Sequence, residues 1–160
     1  MRIKPTVSRP YMPGYGVVGA KKGRLLPWSW AVKHLEKSHN YWITTVRLEG
    51  RPHSVPVWGI WFKNRFYFST GEQSRKAKNL SRNPNCVVCN ERAEEAVIVE
   101  GTAEQIRDKT LIKRFNKIYE KKYDWDMESM DSPIFAVRPV VAFGFIEKSL
   151  DKTATRWKFK

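Results

Sequence analysis

The chain has 160 residues and a formal charge of +14, from 30 Lys and Arg against 16 Asp and Glu; 41% of it is hydrophobic and 13% aromatic. One domain is the default at this length, and apolar residues spread along the whole of it exclude a disordered basic tail as a description of the chain. No run approaches the roughly eighteen apolar residues of a membrane span, and MRIKPTVSRPYMPGYG has no apolar signal core, so a cytoplasmic location with no membrane partner is expected.

The charge is uneven. Positions 1–28, 29–90 and 132–160 are net positive, whereas 91–131 are net negative by three. Nucleic acid, a phosphorylated small molecule and plain solubility are the three readings of such a surface, and charge does not choose among them.

The first 27 residues are rich in proline and glycine. Tyr11, Met12, Tyr15, Leu25, Leu26 and Trp28 make them too apolar for a free tail, so 1–28 is expected to be an irregular arm lying on the body or on a partner subunit. Residues 29–160 then form a single domain. Ser29 is a fitting N-cap for a helix WAVKHLEKSHN, with Trp30, Val32 and Leu35 as its apolar positions. From Tyr41 the period becomes two, and YWITTVR, HSVPVWGIWF and FYFST read as a meander rich in β-branched and aromatic residues. Pro56 and Gly59 inside the second of these demand an edge, a bulge or a bend.

A short helix, SRKAKNLSRN, is stopped by Pro84, and two strands follow, NCVVCNE and AVIVEGTAEQI. Cys86 and Cys89 point to opposite faces of such a strand and are read as reduced thiols; with no His or second Cys pair nearby, no metal site is expected. The longest helix runs from Asp108, an N-cap, to Tyr123, burying Leu111, Ile112, Phe115, Ile118 and Tyr119 along one face. IFAVRP and VVAFGFIEK are the final strands, split at Pro139. These elements predict an α+β fold, mainly β, built on an antiparallel barrel-like sheet with a few flanking helices.

The most informative segment is FYFSTGEQSRKAKNLSRNP, residues 66–84. A helix start offers unpaired N–H groups and a positive dipole end, and here Ser74, Arg75 and Lys76 add a hydroxyl and two cations. That is a phosphate seat, against the plainer alternative of a capped helix with solvated bases. Two of the seven tryptophans, Trp58 and Trp61, stand three apart and face opposite ways unless Gly59 bulges the strand; one is expected in the core and the other on a pocket wall.

Thr45, Gly50, Pro52, Pro56 and Val57, then Phe66 and Thr70, then Ser74, Lys76, Asn79, Leu80, Asn83 and Pro84, and later VEGTAE, together resemble the flavin-binding split β-barrel family, which includes pyridoxamine 5'-phosphate oxidase and the flavin/deazaflavin oxidoreductases. The resemblance implies a homodimeric six-stranded split barrel with two equivalent cofactor sites at the subunit interface. Carried over position by position, Ser74, Arg75 and Lys76 hold the cofactor phosphate, and Ser69 and Thr70 line its approach. His53, Ser54, Val55, Pro56, Val57 and Trp58 run beneath the ring. By the same similarity the terminal Arg156 and Trp157 reach the cleft of their own or the partner subunit.

Two positions depart from the oxidase proper, which has an arginine and a lysine where this chain has His53 and Trp58. That puts its phosphorylated pyridine substrate in doubt. The expected activity is therefore an FMN-binding oxidoreductase that transfers hydride between the flavin and an unidentified small molecule. A deazaflavin (F-420-type) reductase, or a non-catalytic flavin- or haem-binding module, stands as the alternative. No catalytic side chain is assigned, since the ring carries the chemistry and the protein supplies position. No nucleic-acid partner is expected, for no recognition motif accompanies the dispersed bases.

Overall fold

Alternating apolar residues fold as strands through most of the chain. The computed structural model describes residues 4–19, 22–127 and 129–160; positions 1–3 and 20–21 of the expected arm, and position 128, lie outside them. In chain order the elements are β1 (Thr6–Ser8), α1 (Trp28–Lys37), β2 (Tyr41–Val46), β3 (Pro52–Val57), β4 (Ile60–Phe62), β5 (Arg65–Ser69), α2 (Arg75–Arg82), β6 (Asn85–Asn90), β7 (Glu95–Gln105), α3 (Lys109–Tyr123), β8 (Ile134–Ile146), α4 (Leu150–Thr153) and β9 (Thr155–Lys158).

All strand pairs are antiparallel. The sheet runs β1-β9-β8-β7-β6-β2-β3, and a β4–β5 hairpin joins it through the pairing of β5 with β8. Only Trp58 and Gly59 separate β3 from β4. The chain bends there and returns along β5, so β3 and β4 act as one broken strand closing a ring with β5, β8, β7, β6 and β2. This is the expected six-stranded split barrel, and the β1–β9 ribbon is an addition to it. Gly59 permits the bend by close approach: a Cβ there would stand 2.2 Å from the Phe66 ring and 2.8 Å from the Tyr67 carbonyl oxygen.

Pro139 does not end a strand. β8 is continuous over 13 residues, with a register shift opposite Glu100 and Gly101 that leaves Val140 as the extra residue of a bulge. Phe135 and Val137 face the barrel before the bulge, and Ala142 faces it afterwards, so the alternation reverses there. On its other side β8 pairs with β5 up to Val137 and with β9 from Val141. Proline, which has no N–H to donate, thus falls between the two partners.

The first helix also begins differently from expectation. Pro27, in extended conformation, is its N-cap and supplies no side-chain hydrogen bond, while Ser29 lies exposed in the first turn. Proline's fixed φ suits a helix entry, and it displaces the serine from that role. The longest helix starts as read: the Asp108 carboxylate accepts from Leu111 N at 2.7 Å.

The main core fills the barrel with Leu35, Tyr41, Ile43, Trp61, Phe66, Phe68, Val88, Val97, Val99 and Trp157. A second cluster, Phe115, Tyr119, Tyr123 and Met127, seals α3 onto the β4–β5 hairpin through Ile60 and Tyr67. Cys86 is buried and its thiol is pushed up to about 12 by burial, while Cys89 is half-buried and raised for the same reason.

The early residues are tied down in part. β1 zips onto β9, the Arg9 guanidinium donates to the carbonyls of Ala154 (2.6 Å) and Lys152 (2.7 Å), and Leu26 is buried in the main core. Tyr11 and Tyr15 nonetheless stay exposed, contrary to the burial their apolar character suggests. No helix among the described residues is long and apolar enough to cross a membrane.

Candidate functional site

The start of α2 is built by local rules. Ser74 caps the helix, its Oγ accepting from Ala77 N at 3.2 Å and sharing a 3.0 Å hydrogen bond with the Thr70 hydroxyl. The Ser69 hydroxyl and the Thr70 N–H both donate to the Pro133 carbonyl, each at 3.2 Å. Ser69 and Thr70 are therefore fixed against the loop before β8, and the turn they make aims the helix start. The N–H groups of Arg75 and Lys76, the first two helical residues, belong to the set that a helix leaves without internal partners.

Asn79 sets where that helix start points. Its Nδ2 donates to the buried Thr45 hydroxyl at 2.9 Å, riveting α2 to β2. Thr45 is paired in register with His53 on β3, so the rivet brings the α2 terminus to the inner side of the edge strand. The electrostatics record the approach. His53 is held below its ordinary pKa by burial first, and then by the charges of Arg47, Lys76 and Arg75. Burial likewise lowers Lys76. Every charge acting on His53 is a cation, and the Arg47 Nε is buried with no hydrogen-bond partner. Arg47, which also meets Glu49 at 3.9 Å, and the Arg75 and Lys76 pair at the α2 start thus make the surroundings of His53 positive.

The backbone of β3 faces the same way as an open edge. Arg47 N donates to Arg51 O at 2.9 Å, and hydrogen-bonded pairs alternate along an antiparallel ladder. Thr45 with His53, Ile43 with Val55 and Tyr41 with Val57 are thus the bonded pairs. The main-chain groups of Pro52, Ser54 and Pro56 turn away from β2. The two prolines have no N–H, so among these three Ser54 alone gives the edge a donor. Val55 and Val57 pack on the main core, while Ser54 and Pro56 are exposed and Thr44 donates to the Ser54 hydroxyl at 2.9 Å.

The far end of β3 is aromatic rather than charged. Trp58 is 37% exposed and stacks on Tyr123, centroids 4.6 Å apart and planes 6° from parallel. Trp61, beyond the bend, is buried in the core. The Tyr123 hydroxyl accepts from Gly59 N at 2.9 Å and lies 2.8 Å from both the Gly59 and His39 carbonyl oxygens. Lys122 Nζ donates to the Tyr41 hydroxyl at 2.8 Å and to Gly59 O at 3.0 Å. Both polar groups of Gly59 are held by the end of α3. Sequence reading missed this knot, whose only local trace is Tyr119 and Tyr123 one turn apart on the buried face of the helix.

His53, Ser54, Val55, Pro56, Val57, Trp58, Ser69, Thr70, Ser74, Arg75 and Lys76 are thus grouped along β3 and the adjoining turn. Arg156 and Trp157 are not, and this corrects the expectation for the tryptophan. β9 is paired with β1 and β8, outside the strand ladder that carries the site. The Trp157 ring is fully buried in the core, edge-on to Trp28 at 5.3 Å and over Gly144, where a Cβ would meet it at 2.4 Å. Arg156 points to the opposite face, in register with Phe143.

A split antiparallel barrel with a cluster of basic side chains between an open edge strand and a helix start defines the class. The sequence model of the pyridoxamine 5'-phosphate oxidase family matches residues 31–144, and the chain belongs to that family. Solved structures share the fold. The general stress protein 26 of Bacillus anthracis is 24% identical, with TM-score 0.62, covering 72% of this chain and 91% of its own. An F420 reductase is 23% identical, with TM-score 0.58 and coverage of 69% and 93%. An FMN-binding protein of Nostoc punctiforme, related to pyridoxamine 5'-phosphate oxidase, is 16% identical, with TM-score 0.59 and coverage of 78% and 86%. No curated protein matches the chain.

Proposed function

We propose that the chain is an FMN-binding oxidoreductase that works as a homodimer on a small-molecule substrate. The observation that carries this reading is the capped start of α2, riveted to β2 by Asn79, with Arg75 and Lys76 acting on His53 together with Arg47, which also meets Glu49 at 3.9 Å. A phosphate dianion suits that seat through charge-assisted hydrogen bonds from the two side chains and from the helix N–H groups. From His53 to Trp58 the strand spans about 16 Å at its usual rise, room for a phosphorylated side chain followed by a planar ring. The flavin, when bound, supplies the hydride chemistry. The protein's own part is to anchor the phosphate at α2, to offer Ser54 N–H and the neighbouring carbonyls to the ring edge, and to screen the ring with Trp58.

The outer face of the sheet supports a second subunit. Trp42, Cys89, Ile98 and Phe143 form a row across β2, β6, β7 and β8 in register. Trp42 is 48% exposed, and the other three are only half-buried. A second copy covering this face would bring its own β9, and with it Arg156, toward a site in its partner.

The test is to denature the protein as purified and identify the released small molecule by mass spectrometry, with the subunit count of the native sample measured by light scattering. Released FMN from a dimer is the expected result. A released deazaflavin would transfer the same seat to the F-420-type alternative, and a protein that neither carries nor takes up either ring would overturn the reading.

A further inference from the structure

We propose that Trp58, together with Trp125 and Met130, is the stacking surface for a planar aromatic substrate at the ring end of β3. The inference rests on the reading of β3 as the bed of a flavin, and adds the class of molecule that meets it.

Three of the large exposed apolar side chains of the molecule lie together here, Trp58 from the end of β3 and Trp125 and Met130 from the loop between α3 and β8. Trp58 and Trp125 meet edge to face at 6.4 Å, and the Trp125 indole donates to the Met130 sulfur at 3.4 Å; the three are 37%, 50% and 45% exposed. A contiguous apolar patch left in water marks a place of contact, where scattered single residues do not.

Trp58 is also immobilised. One face of the ring is backed by Tyr123 in a near-parallel stack, and His39 and Tyr119 approach it at 5.9 Å and 6.4 Å. Tyr123 is in turn locked by its hydrogen bonds at Gly59 and His39. An exposed indole whose freedom is already spent binds a flat partner without the entropy that a loose surface side chain would lose. Stacking and sulfur–aromatic contact are the interactions on offer, and they favour a flat π-system over a saturated molecule of equal size.

The probes are 2-naphthol and its saturated counterpart decahydro-2-naphthol, titrated calorimetrically into the purified protein, with flavin content measured separately on each sample. The planar compound is expected to bind at least about tenfold tighter. Trp58→Ala should weaken it about tenfold and Trp58→Phe should restore most of that loss, while Trp125→Ala gives a smaller decrease. Equal affinity for the two probes, or unchanged 2-naphthol binding in both alanine variants, would overturn the proposal. So would a dimer that falls to monomer on Trp58→Ala, since the patch would then be covered by the second copy. A protein that neither carries nor takes up a flavin yet keeps the Trp58-dependent preference removes the cofactor reading and leaves the stacking surface standing.

Discussion

The two ends of β3 are built on opposite principles. At the His53 end the groups that matter are cations, brought together by one buried Asn79–Thr45 hydrogen bond and left partly open to water. At the Trp58 end the groups are aromatic, and the backbone itself is held at both its N–H and its C=O. A charged seat tolerates solvent because long-range attraction does not need contact; a stacking surface works only if its ring already stands in place. Damage to the first end should therefore appear in ligand affinity alone, whereas damage to the residues that hold the second end in place should appear in folding.

The sharpest contrast comes from Gly59→Ala. The added methyl group meets the Phe66 ring and the Tyr67 carbonyl inside van der Waals distance, so a loss of about 3 kcal/mol in a urea denaturation is expected. Tyr123→Phe keeps the stack and removes the hydroxyl that serves Gly59 and His39. It should cost about 1–3 kcal/mol, because the buried Gly59 N–H is left unpaired.

Lys122 gives a pH signature. Burial holds its ammonium below the ordinary 10.5, at about 8, with Glu91 acting weakly in the other direction. Between those values the unfolded chain binds the proton and the folded chain has shed it, so the Lys122 contribution to stability rises with pH across the window, while the thiols of Cys86 and Cys89, raised by burial from 9.0, work against it from about pH 9. The phenols of Tyr41 and Tyr123, raised chiefly by burial from 10.0, work the opposite way only above about pH 10. Denaturation midpoints between about pH 8 and 10 should climb in the natural protein relative to Lys122→Met; parallel curves would remove Lys122 as the cause.

The smallest effect on folding belongs to the charged end. Arg75→Ala combined with Lys76→Ala should change stability by no more than about 0.5 kcal/mol, since Arg75 is exposed and Lys76 bears a desolvation cost of its own. The same pair should lower FMN affinity about tenfold to a hundredfold in a fluorescence titration. A marked loss of stability with FMN affinity intact would dissolve the contrast between the two ends.

What was legible in the sequence is what local chemistry encodes. Asp108 and the spacing of Leu111, Phe115 and Tyr119 fixed α3 at both ends, and Ser74 announced α2. Gly59 was readable as a point of bend, though not what grips it, because Tyr123 lies 64 residues away and its partners are main-chain atoms. The same distance problem hid the fate of Trp157. An aromatic and basic end suggests a ligand, yet β9 finds its partners in β8 and in β1, at the opposite end of the chain. Pro139 misled for a different reason: a residue that normally interrupts a ladder sits here at a changeover between two neighbours.

The extra residue beside that proline has a consequence for how the strand can vary. Because Val140 reverses inside and outside, the two halves of β8 are keyed to opposite parities. Val137 and Ala142 stand five positions apart, a spacing that a regular strand would split between opposite faces; with Val140 removed they stand four apart and keep one face without the bulge. Substitution and even deletion of Val140 should thus be absorbed, whereas forcing all the residues between Val137 and Ala142 into a regular ladder would turn half of the wall inside out.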